Sequence, residues 1–567
     1  MNILKRLLFP FLIILLTSIT FLPLSHSGFF AFHDNAQVER VFEMNIALVD
    51  KSFPVRWVPD LGYGYGYPIF NFYGPLPYYL GGIIMFAGFD ALLATKIMFG
   101  IGILISGVAM FYLTKRHFGT AAGVASAVVY AYFPYHAVNI YVRGAVDEFF
   151  AYAFMPLVLL GLFQLFDLKK TKLISRSSVK LILSLSLGIF LVAVSHNLSI
   201  FMLLILLVPY VLVSIFLTEQ KRKFLIILIV SVTIGMALSS FYILPAFLEM
   251  SHTNIASQVG GGANFADHFV CPQQLWDSMW GFGGSVKGCV DGLSFRLGKI
   301  NILFVSASLL IYGYALLRKK INLKDRIAGI CVVMFLISIF LTLDLSTSVW
   351  QTVPFMKYIQ YPWRFLNFVA LFMSFIVGFL VYKTQEFWGR KLSIILTFCL
   401  ILFTIAFNYK LFVPQKFNDF SIDYYTSNSH IVFDTSKISD EYMPSGFQTP
   451  RVVSELPTSK VELLKTTGNI RVLNDKTNYL KASYLVLGDG VVHVNTAYFP
   501  GWKAYVNGQN LPIVPTPKGM NISIPKGEGT FEMKLTQTAT EMTGNVLTIL
   551  AFFALLIGII KTSLPRK

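Results

Sequence analysis

Acidic and basic side chains gather at a few points where apolar segments of this chain end. His33 and Asp34 follow directly after an apolar N-terminal run, and Asp147 and Glu148 stand four and five residues after Arg143. A carboxylate can take the proton of an attacking hydroxyl, and a guanidinium can hold a phosphate. These residue types therefore fit the transfer of a group away from a phosphate.

The other candidates share this position, because each lies at the predicted external end of an apolar segment. The set is Asp34, Glu39, Asp60, Arg143, Asp147, Glu148, Glu249, Asp344, Lys357 and Arg364, with His196 and Asn197 at the same level. Ordinary helix-end solvation and snorkelling would explain the long Lys and Arg side chains. That explanation suits the Asp147–Glu148 pair less well, so we predict one site at the outer membrane surface.

The elements that must position these residues are transmembrane helices. The chain has 567 residues, of which 55% are hydrophobic and 13% charged, a composition typical of an α-helical polytopic membrane protein. About twelve spans are expected, near residues 7–25, 94–114, 120–139, 147–166, 180–196, 199–217, 223–244, 300–317, 327–345, 364–382, 392–413 and 543–560.

The net charge of +17 predicts membrane orientation rather than nucleic-acid binding. Its Lys and Arg residues cluster in short loops between apolar runs, which is the positive-inside bias. We therefore expect a multi-pass plasma-membrane protein with both termini cytoplasmic. Segments 26–93, 245–299, 345–363 and 414–542 would be extracytoplasmic. Neither a P-loop nor a Rossmann glycine fingerprint is present.

The first apolar run has two interpretations. Lys5 and Arg6 before it and Ser25 after it resemble a cleavable signal peptide, but its length favours a retained span. Asp34 is external in either case. Asp34 and Gln37 also have the spacing of a helix capping box, so Asp34 could cap a helix as well as catalyse.

The aromatic segment 54–89 ends in an apolar stretch, Leu76 to Phe89, that is short for a span and lacks basic residues at an inner end. It predicts a helix on, or dipping into, the outer leaflet. The surrounding Tyr and Trp residues fit an interfacial belt, and stacking on sugar rings is the alternative.

The C-terminal part predicts a small β-sandwich at 414–542, outside the membrane, before a last helix and basic cytoplasmic tail at 543–567. Asn507-Gly508 between alternating runs is a hairpin signal. Trp502 and Tyr505 could stack on glycan or pack in the core.

The four cysteines divide into two pairs. Cys271 and Cys289 share one external loop, where they could form a disulfide or remain free thiols. Cys331 and Cys399 lie inside predicted spans and fit small apolar fillers.

Several motifs in order give a resemblance. They are HDNAQVERVF, VPDLGYGYGYPIFNFYGPLPYYLGG, YVRGAVDEFFAYAFMPLVL, SHN, ILPAFLE and YPWRFL, spread over residues 31–366. Together they resemble the prokaryotic multi-pass family described as 6-pyruvoyl-tetrahydropterin synthase-related, within the GT-C superfamily of membrane glycosyltransferases. YFPGWKAYVNG resembles a motif of lipoteichoic-acid-glycosylating membrane proteins. The resemblance implies a GT-C-like domain over residues 1–413.

The resemblance implies a glycosyltransferase, inverting at the anomeric carbon, that takes sugar from a polyprenyl-phosphate donor in the bilayer. The acceptor would be a glycan, a lipid or a protein. Asp34 maps onto the catalytic carboxylate, and the second acid maps onto Asp147 or Glu148. The basic residue after the acid could only be Arg40. These three acids could also hold a divalent cation, Mg²⁺ or Mn²⁺, although some relatives use no metal.

Substrate-binding roles are expected for eight residues around these acids. They are His33, Arg40, Arg143, His196, Asn197, Glu249, Lys357 and Arg364. Arg364 and then Arg143 are the first candidates for the leaving phosphate, and His33 could orient Asp34 or be a plain loop residue. Two other hypotheses stay open. A flippase or transporter of lipid-linked sugars should show paired broken helices and charges within spans. A non-catalytic envelope scaffold should lack a groove where these residues meet.

Overall fold

The computed structural model describes residues 3–168, 175–255, 263–318 and 321–563. Helices of nine or more residues form half of this part of the chain. They are α1 (Ile3–Thr17), α2 (Gln37–Val49), α3 (Pro75–Phe86), α4 (Ala91–Phe118), α5 (Thr120–Ala131), α6 (Val146–Gln164), α7 (Arg176–Ser195), α8 (Asn197–Leu217), α9 (Lys221–Leu238), α10 (Ser240–Leu248), α11 (Lys299–Leu317), α12 (Leu323–Thr342), α13 (Leu366–Trp388), α14 (Arg390–Asn408) and α15 (Ala539–Ser563).

Within the described residues, ten helices are long and apolar enough to cross a membrane, or eleven if the bent pair α9–α10 is one span. The sequence predicted about twelve. The difference lies at 120–139, where α5 ends at Ala131 after only 12 residues. Phe133 is extended and Pro134 starts a new short helix, because proline disfavours the helical conformation of the residue before it.

The predicted straight span at 223–244 is broken instead. Helices α9 and α10 meet at an angle of 76°. Around the break, the Ser239 and Ser240 hydroxyls donate to the carbonyls of Gly235 and Met236, a side-chain competition that bends helices. The break turns α10 away from the axis of α9.

Helix α3 is the short apolar helix predicted from 76–89. At 12 residues it is about 18 Å long, too short for a hydrocarbon core of about 30 Å. Gly81 and Gly82 let it pack closely on Val41 and Met44 of α2. Its position at the outer leaflet stays a prediction.

The C-terminal part contains a β region, and the strands of its two larger sheets occupy only 461–535 of the predicted 414–542. In chain order after β1 (Phe29–Phe30) and β2 (Phe417–Asn418), the strands are β3 (Val461–Leu464), β4 (Gly468–Lys476), β5 (Tyr479–Val486), β6 (Gly490–Val494), β7 (Trp502–Val506), β8 (Gln509–Leu511), β9 (Val514–Thr516), β10 (Gly519–Ile524) and β11 (Gly527–Leu535). The antiparallel sheets have the orders β4-β5-β11-β7-β8 and β3-β6-β10-β9. Alternate residues are buried along β5, β6 and β10, the pattern of two sheets packed face to face.

The segment between α1 and α4 holds the C-terminal part of the chain against the helices. Its β1 pairs with β2, which precedes the β region, and the Ala497 amide donates to the Tyr65 carbonyl at 2.9 Å. The rings of Trp57 and Trp502 meet edge to face at 5.5 Å. Trp502 is buried, at 7% exposure, so it packs in the core and is not placed to stack on glycan.

Replacing Trp57 by Ala should weaken this interface. Trp57 is 2% exposed, and truncating a buried Trp costs about 3–5 kcal/mol. We expect a lower unfolding temperature of the full-length protein in detergent and faster proteolysis of the β region. Trp388→Ala, at a site 58% exposed, is the control. Equal unfolding temperatures for the two variants would contradict this account.

Candidate functional site

A cavity of about 590 Å³ lies where the segment between α1 and α3, α6, the α7–α8 junction and the segment before α13 meet. It brings together seven residues that the sequence singled out from distant positions. They are Asp34, Arg143, Asp147, Glu148, His196, Asn197 and Arg364. These residues therefore share one site.

Asp34 is positioned by its backbone. The amides of His33 and Asp34 donate to the carbonyls of Val142 and Arg143 at 3.1 and 3.0 Å. The capping prediction for Asp34 is wrong: α2 begins at Gln37, and its N-cap residue makes no side-chain capping bond. Gln37 reaches the Gly144 carbonyl at 2.7 Å instead, so the Asp34 carboxyl remains available to the cavity.

Burial raises the pKa of Asp34 above its ordinary value of 3.8, and the charges of Arg40 and Arg143 offset part of that shift. The charge of Asp147 raises the pKa further. A raised pKa makes a carboxylate a stronger base. The environment of Asp34 is thus suited to proton abstraction.

Arg143 ends a wide helical turn, Val138–Arg143, and the turn closes on Gly144. Gly144 has φ +64°, and a Cβ there would lie 2.0 Å from the Phe32 ring. Only glycine fits both the backbone conformation and this close contact. The turn aims the Arg143 guanidinium at α6, under the Trp363 ring at 4.7 Å.

Glu148 holds two arginines. Its Oε2 lies 2.8 Å from Arg143 Nη1 and 3.5 Å from Arg364 Nε. Its Oε1 accepts from Tyr135 at 2.9 Å and from Asn367 at 2.7 Å. A carboxylate bound in this way, at 1% exposure, orients the guanidiniums and has little capacity left for a reacting group.

Asp147 is less occupied than Glu148. Its Oδ2 lies 3.5 Å from His196 Nε2, and its Oδ1 receives a 3.4 Å contact from the Tyr73 hydroxyl and a 2.8 Å bond from the Glu148 amide. The backbone at Gly74 packs closely against the end of α7, and only a glycine allows this, because a Cβ there would lie 1.7 Å from the Ser195 carbonyl oxygen. The Asp147 carboxylate therefore has more capacity left for a ligand than that of Glu148, and the choice of the second acid stays a prediction.

The predicted metal site has few open ligands. Among the described residues, no group of three or more His, Cys, Asp and Glu side chains is arranged to hold a metal ion. Of the predicted set, Glu148 is committed to Arg143 and Arg364, which leaves Asp34 and Asp147 as oxygen ligands. Metal dependence stays a prediction that these two residues would have to support.

Four predicted substrate-binding residues lie outside the cavity lining. His33 is exposed and contacts the Phe282 carbonyl at 2.8 Å. Arg40 is buried, donates to Ser439 at 2.7 Å and covers the Tyr73 ring. Glu249 accepts from Thr538 before α15. Lys357 is exposed beside the Tyr358 ring. Their roles in substrate binding stay predictions.

The structure also joins the predicted cysteines. Cys271 and Cys289 form a disulfide. The loop between them touches the site, because Ser285 accepts from the Trp363 indole at 3.0 Å.

Glu441 and Tyr442 are cavity residues that the sequence did not single out. They lie in the irregular segment before the β region, where no periodicity or spacing marks them. Burial raises the pKa of Glu441 to about 7. Gln360 also lines the cavity and has φ +67°, an uncommon conformation for this residue type.

Much of the remaining cavity wall is apolar. It includes Leu198, Phe201, Ala246, Phe247, Met250, Ile255, Ala263 and Phe355, and three tyrosines, Tyr73, Tyr358 and Tyr361, also line the cavity. Phe247 and Phe355 are 47% and 58% exposed, so the apolar wall continues to the protein surface. The break between α9 and α10 is what brings Ala246 and Phe247 to this wall.

Solved structures share this architecture. The crystal structure of the Archaeoglobus fulgidus oligosaccharyltransferase in the apo form matches with a TM-score of 0.50 at 13% identity, covering 81% of this chain and 62% of that chain. The archaeal oligosaccharyltransferase AglB of the same organism, in complex with an inhibitory peptide and a dolichol-phosphate, gives the same TM-score, identity and coverage. The likeness shows a GT-C-like fold.

Sequence comparison gives the family. A relative from Lactococcus lactis subsp. cremoris (strain MG1363), described as an uncharacterized protein, is 25% identical over 346 residues, which is 59% of this chain and 54% of the relative. The chain thus spans about half the length of that curated relative. Residues 70–412 match the model described as 6-pyruvoyl-tetrahydropterin synthase related domain, membrane protein. Because that match covers more than half of the chain, the protein belongs to this family of membrane proteins.

Proposed function

We propose that this protein is a glycosyltransferase that moves a sugar from a polyprenyl-phosphate donor to an acceptor at the extracytoplasmic face of the membrane. One observation carries the proposal. The cavity combines a carboxylate suited to act as a base, two arginines joined by a buried glutamate, and an apolar wall that reaches the surface.

Asp34 would act as the general base. It takes the proton of the acceptor hydroxyl as that oxygen attacks the anomeric carbon. A new bond forms between the acceptor oxygen and the sugar, and the bond between the sugar and the phosphate oxygen breaks. A single displacement of this kind inverts the anomeric carbon.

Arg143 and Arg364 would bind the phosphate that leaves. Negative charge grows on the phosphate as the sugar departs, and preorganised guanidiniums stabilise that charge. Glu148 fixes both guanidiniums in advance, so little reorganisation is needed during the reaction. Asp147, whose charge acts on Asp34, would support the base or bind the sugar hydroxyls.

The apolar wall would receive the start of the polyprenyl tail. A donor with a charged head and a long lipid tail needs a polar pocket next to apolar surface, and the cavity offers both. The likeness to oligosaccharyltransferases supports the proposal at the level of fold, and one of those structures contains a dolichol-phosphate.

The other two hypotheses receive less support. A scaffold with a degenerate site should lack convergence, but seven predicted residues line one cavity. A flippase should contain paired broken helices, whereas one sharply bent pair is found among the described helices.

Asp34→Asn should abolish transfer without unfolding the protein. Loss of a general base lowers rates by about 10²–10⁴-fold. The test is sugar transfer in proteoliposomes with a panel of synthetic polyprenyl-phosphate hexoses. Asp423→Asn, at an exposed position, is the matched control. Full activity of the Asp34 variant would remove Asp34 from the mechanism.

Arg364→Met should weaken use of the donor. Hydrogen bonds to charged groups contribute about 1.5–3 kcal/mol, so we expect kcat/KM for the donor to fall about 10–100-fold. Arg390→Met, at an exposed site, should behave as wild type. Because Arg364 also donates to the Ile359 carbonyl, unfolding temperatures must be compared. An unchanged kcat/KM in a stable variant would exclude a phosphate role.

The rate of sugar transfer should fall as the pH is lowered. The fall should begin at a higher pH than it would for an aspartate with an ordinary pKa. Because the pKa of Asp34 is raised, its base form is present above that raised pKa and is lost as pH falls through it. The measurement is kcat/KM for the donor from about pH 4 to pH 8. A profile that is flat over this range would contradict a base with a raised pKa.

A further inference from the structure

Polar groups meet the cavity at two places. The first is the pair Arg143 and Arg364, and the second, which we call the second polar pole, is supplied by the C-terminal region. Glu441 and Tyr442 line the cavity there, although they lie outside the residues 70–412 that match the family model. The segment that carries them is fixed on both sides. The Tyr63 amide donates to Ser436 Oγ at 3.0 Å, Arg40 donates to Ser439 at 2.7 Å, and the Met443 carbonyl accepts from Asn254 at 3.1 Å. Glu441 is therefore held in the cavity by neighbours that leave its own side chain unbound.

The carboxyl of Glu441 is available for a ligand. Over the residues that the structure describes, it forms no hydrogen bond or ion pair with another residue, and its side chain is only partly buried. Two of the other three cavity carboxylates are engaged: Glu148 has four partners, and Asp147 contacts His196 and Tyr73.

Asp34 lines the same cavity as Arg143, Arg364 and Glu441. Glu148 joins the two arginines, whereas the Glu441 carboxyl bonds to neither of them in the described part of the chain. A phosphate on the two arginines would thus leave Glu441 open to a second ligand. In a transfer reaction, that second ligand is the molecule whose hydroxyl gives its proton to the base.

The chemistry of the second polar pole selects its ligand. The Glu441 carboxyl can bind a neutral hydroxyl in either protonation state, because the ionised form accepts hydrogen bonds and the protonated form also donates one. Of the charges that act on Glu441, Arg40 is bound to Ser439 and lies against the Tyr73 ring, whereas Asp34 faces the cavity and disfavours an anion there. Tyr442 adds an aromatic face, which is braced by the Phe72 ring at 6.4 Å and the Tyr73 ring at 6.0 Å. A flat aromatic face beside a hydrogen-bond acceptor fits a sugar ring with free hydroxyls.

We propose that Glu441 and Tyr442 form the acceptor subsite, and that the acceptor presents a neutral sugar hydroxyl there. This inference rests on the proposed glycosyl transfer and deepens it. The carboxylate of Glu441 binds a hydroxyl next to the attacking one, while Asp34 removes the proton from the attacking oxygen.

The test compares two fates of the same donor. Purified full-length protein in proteoliposomes receives the polyprenyl-phosphate hexose that the wild type uses. Release of sugar to water is measured beside transfer to two probes, neutral octyl β-D-glucoside and anionic glycerol 3-phosphate. Glu441→Gln should lower kcat/KM for octyl glucoside at least about tenfold more than it lowers hydrolysis, mainly through KM.

Matched variants separate binding from folding. Glu528→Gln changes an exposed glutamate on β11 and should match the wild type. Glu441→Asp keeps the charge and should retain more octyl glucoside transfer than Glu441→Gln at an equal unfolding temperature.

Three results would overturn the inference. The first is equal transfer to octyl glucoside by the wild type and Glu441→Gln. The second is a parallel loss of transfer and hydrolysis in that variant. The third is preference of the wild type for glycerol 3-phosphate. A wild type that neither hydrolyses nor transfers from any donor would instead remove the proposed function, and this inference with it.

Discussion

Two guanidinium groups from distant parts of the chain meet one buried carboxylate, that of Glu148 at the start of α6. Arg143 arrives from the turn before α6, and Arg364 arrives from the segment before α13, more than two hundred residues later. Removing one partner of a buried ion pair costs about 3–5 kcal/mol, because the remaining charge is left uncompensated. The spacing of the two arginines, and with it the width of the polar end of the cavity, therefore depends on Glu148. Two cations against one anion leave a net positive charge, which an anionic ligand can neutralise.

Much of this arrangement could be predicted from the sequence. Charge is costly in the hydrocarbon layer, so acids and arginines at the ends of apolar runs were expected outside that layer, and groups at the same ends of neighbouring helices lie at similar depth. That reasoning found seven residues of the cavity. It could not rank Asp147 against Glu148, since adjacent residues share depth and composition. The ranking depends on partners such as Tyr135 and Asn367, which are far away in sequence.

Other features depended on contacts that no local pattern contains. The break at Ser239 arises from serine hydroxyls bonding within an apolar run, which hydropathy treats as continuous. Glu441 comes from an irregular segment, and it reaches the cavity only because Arg40 and Tyr63 bind the residues around it. Arg40 is buried and supports the cavity wall through its bond to Ser439, while its role in substrate binding stays a prediction.

The bend between α9 and α10 also affects how a lipid substrate would reach the cavity, by two-dimensional diffusion in the membrane and not from solution. Because Phe247 extends the apolar wall to the protein surface, a polyprenyl-linked molecule would enter sideways, by diffusing within the leaflet. The quantity that governs encounter is then the mole fraction of donor in the membrane, and dilution of the surrounding solution has no effect on it. For such an enzyme, the lipid composition of the bilayer sets the substrate concentration.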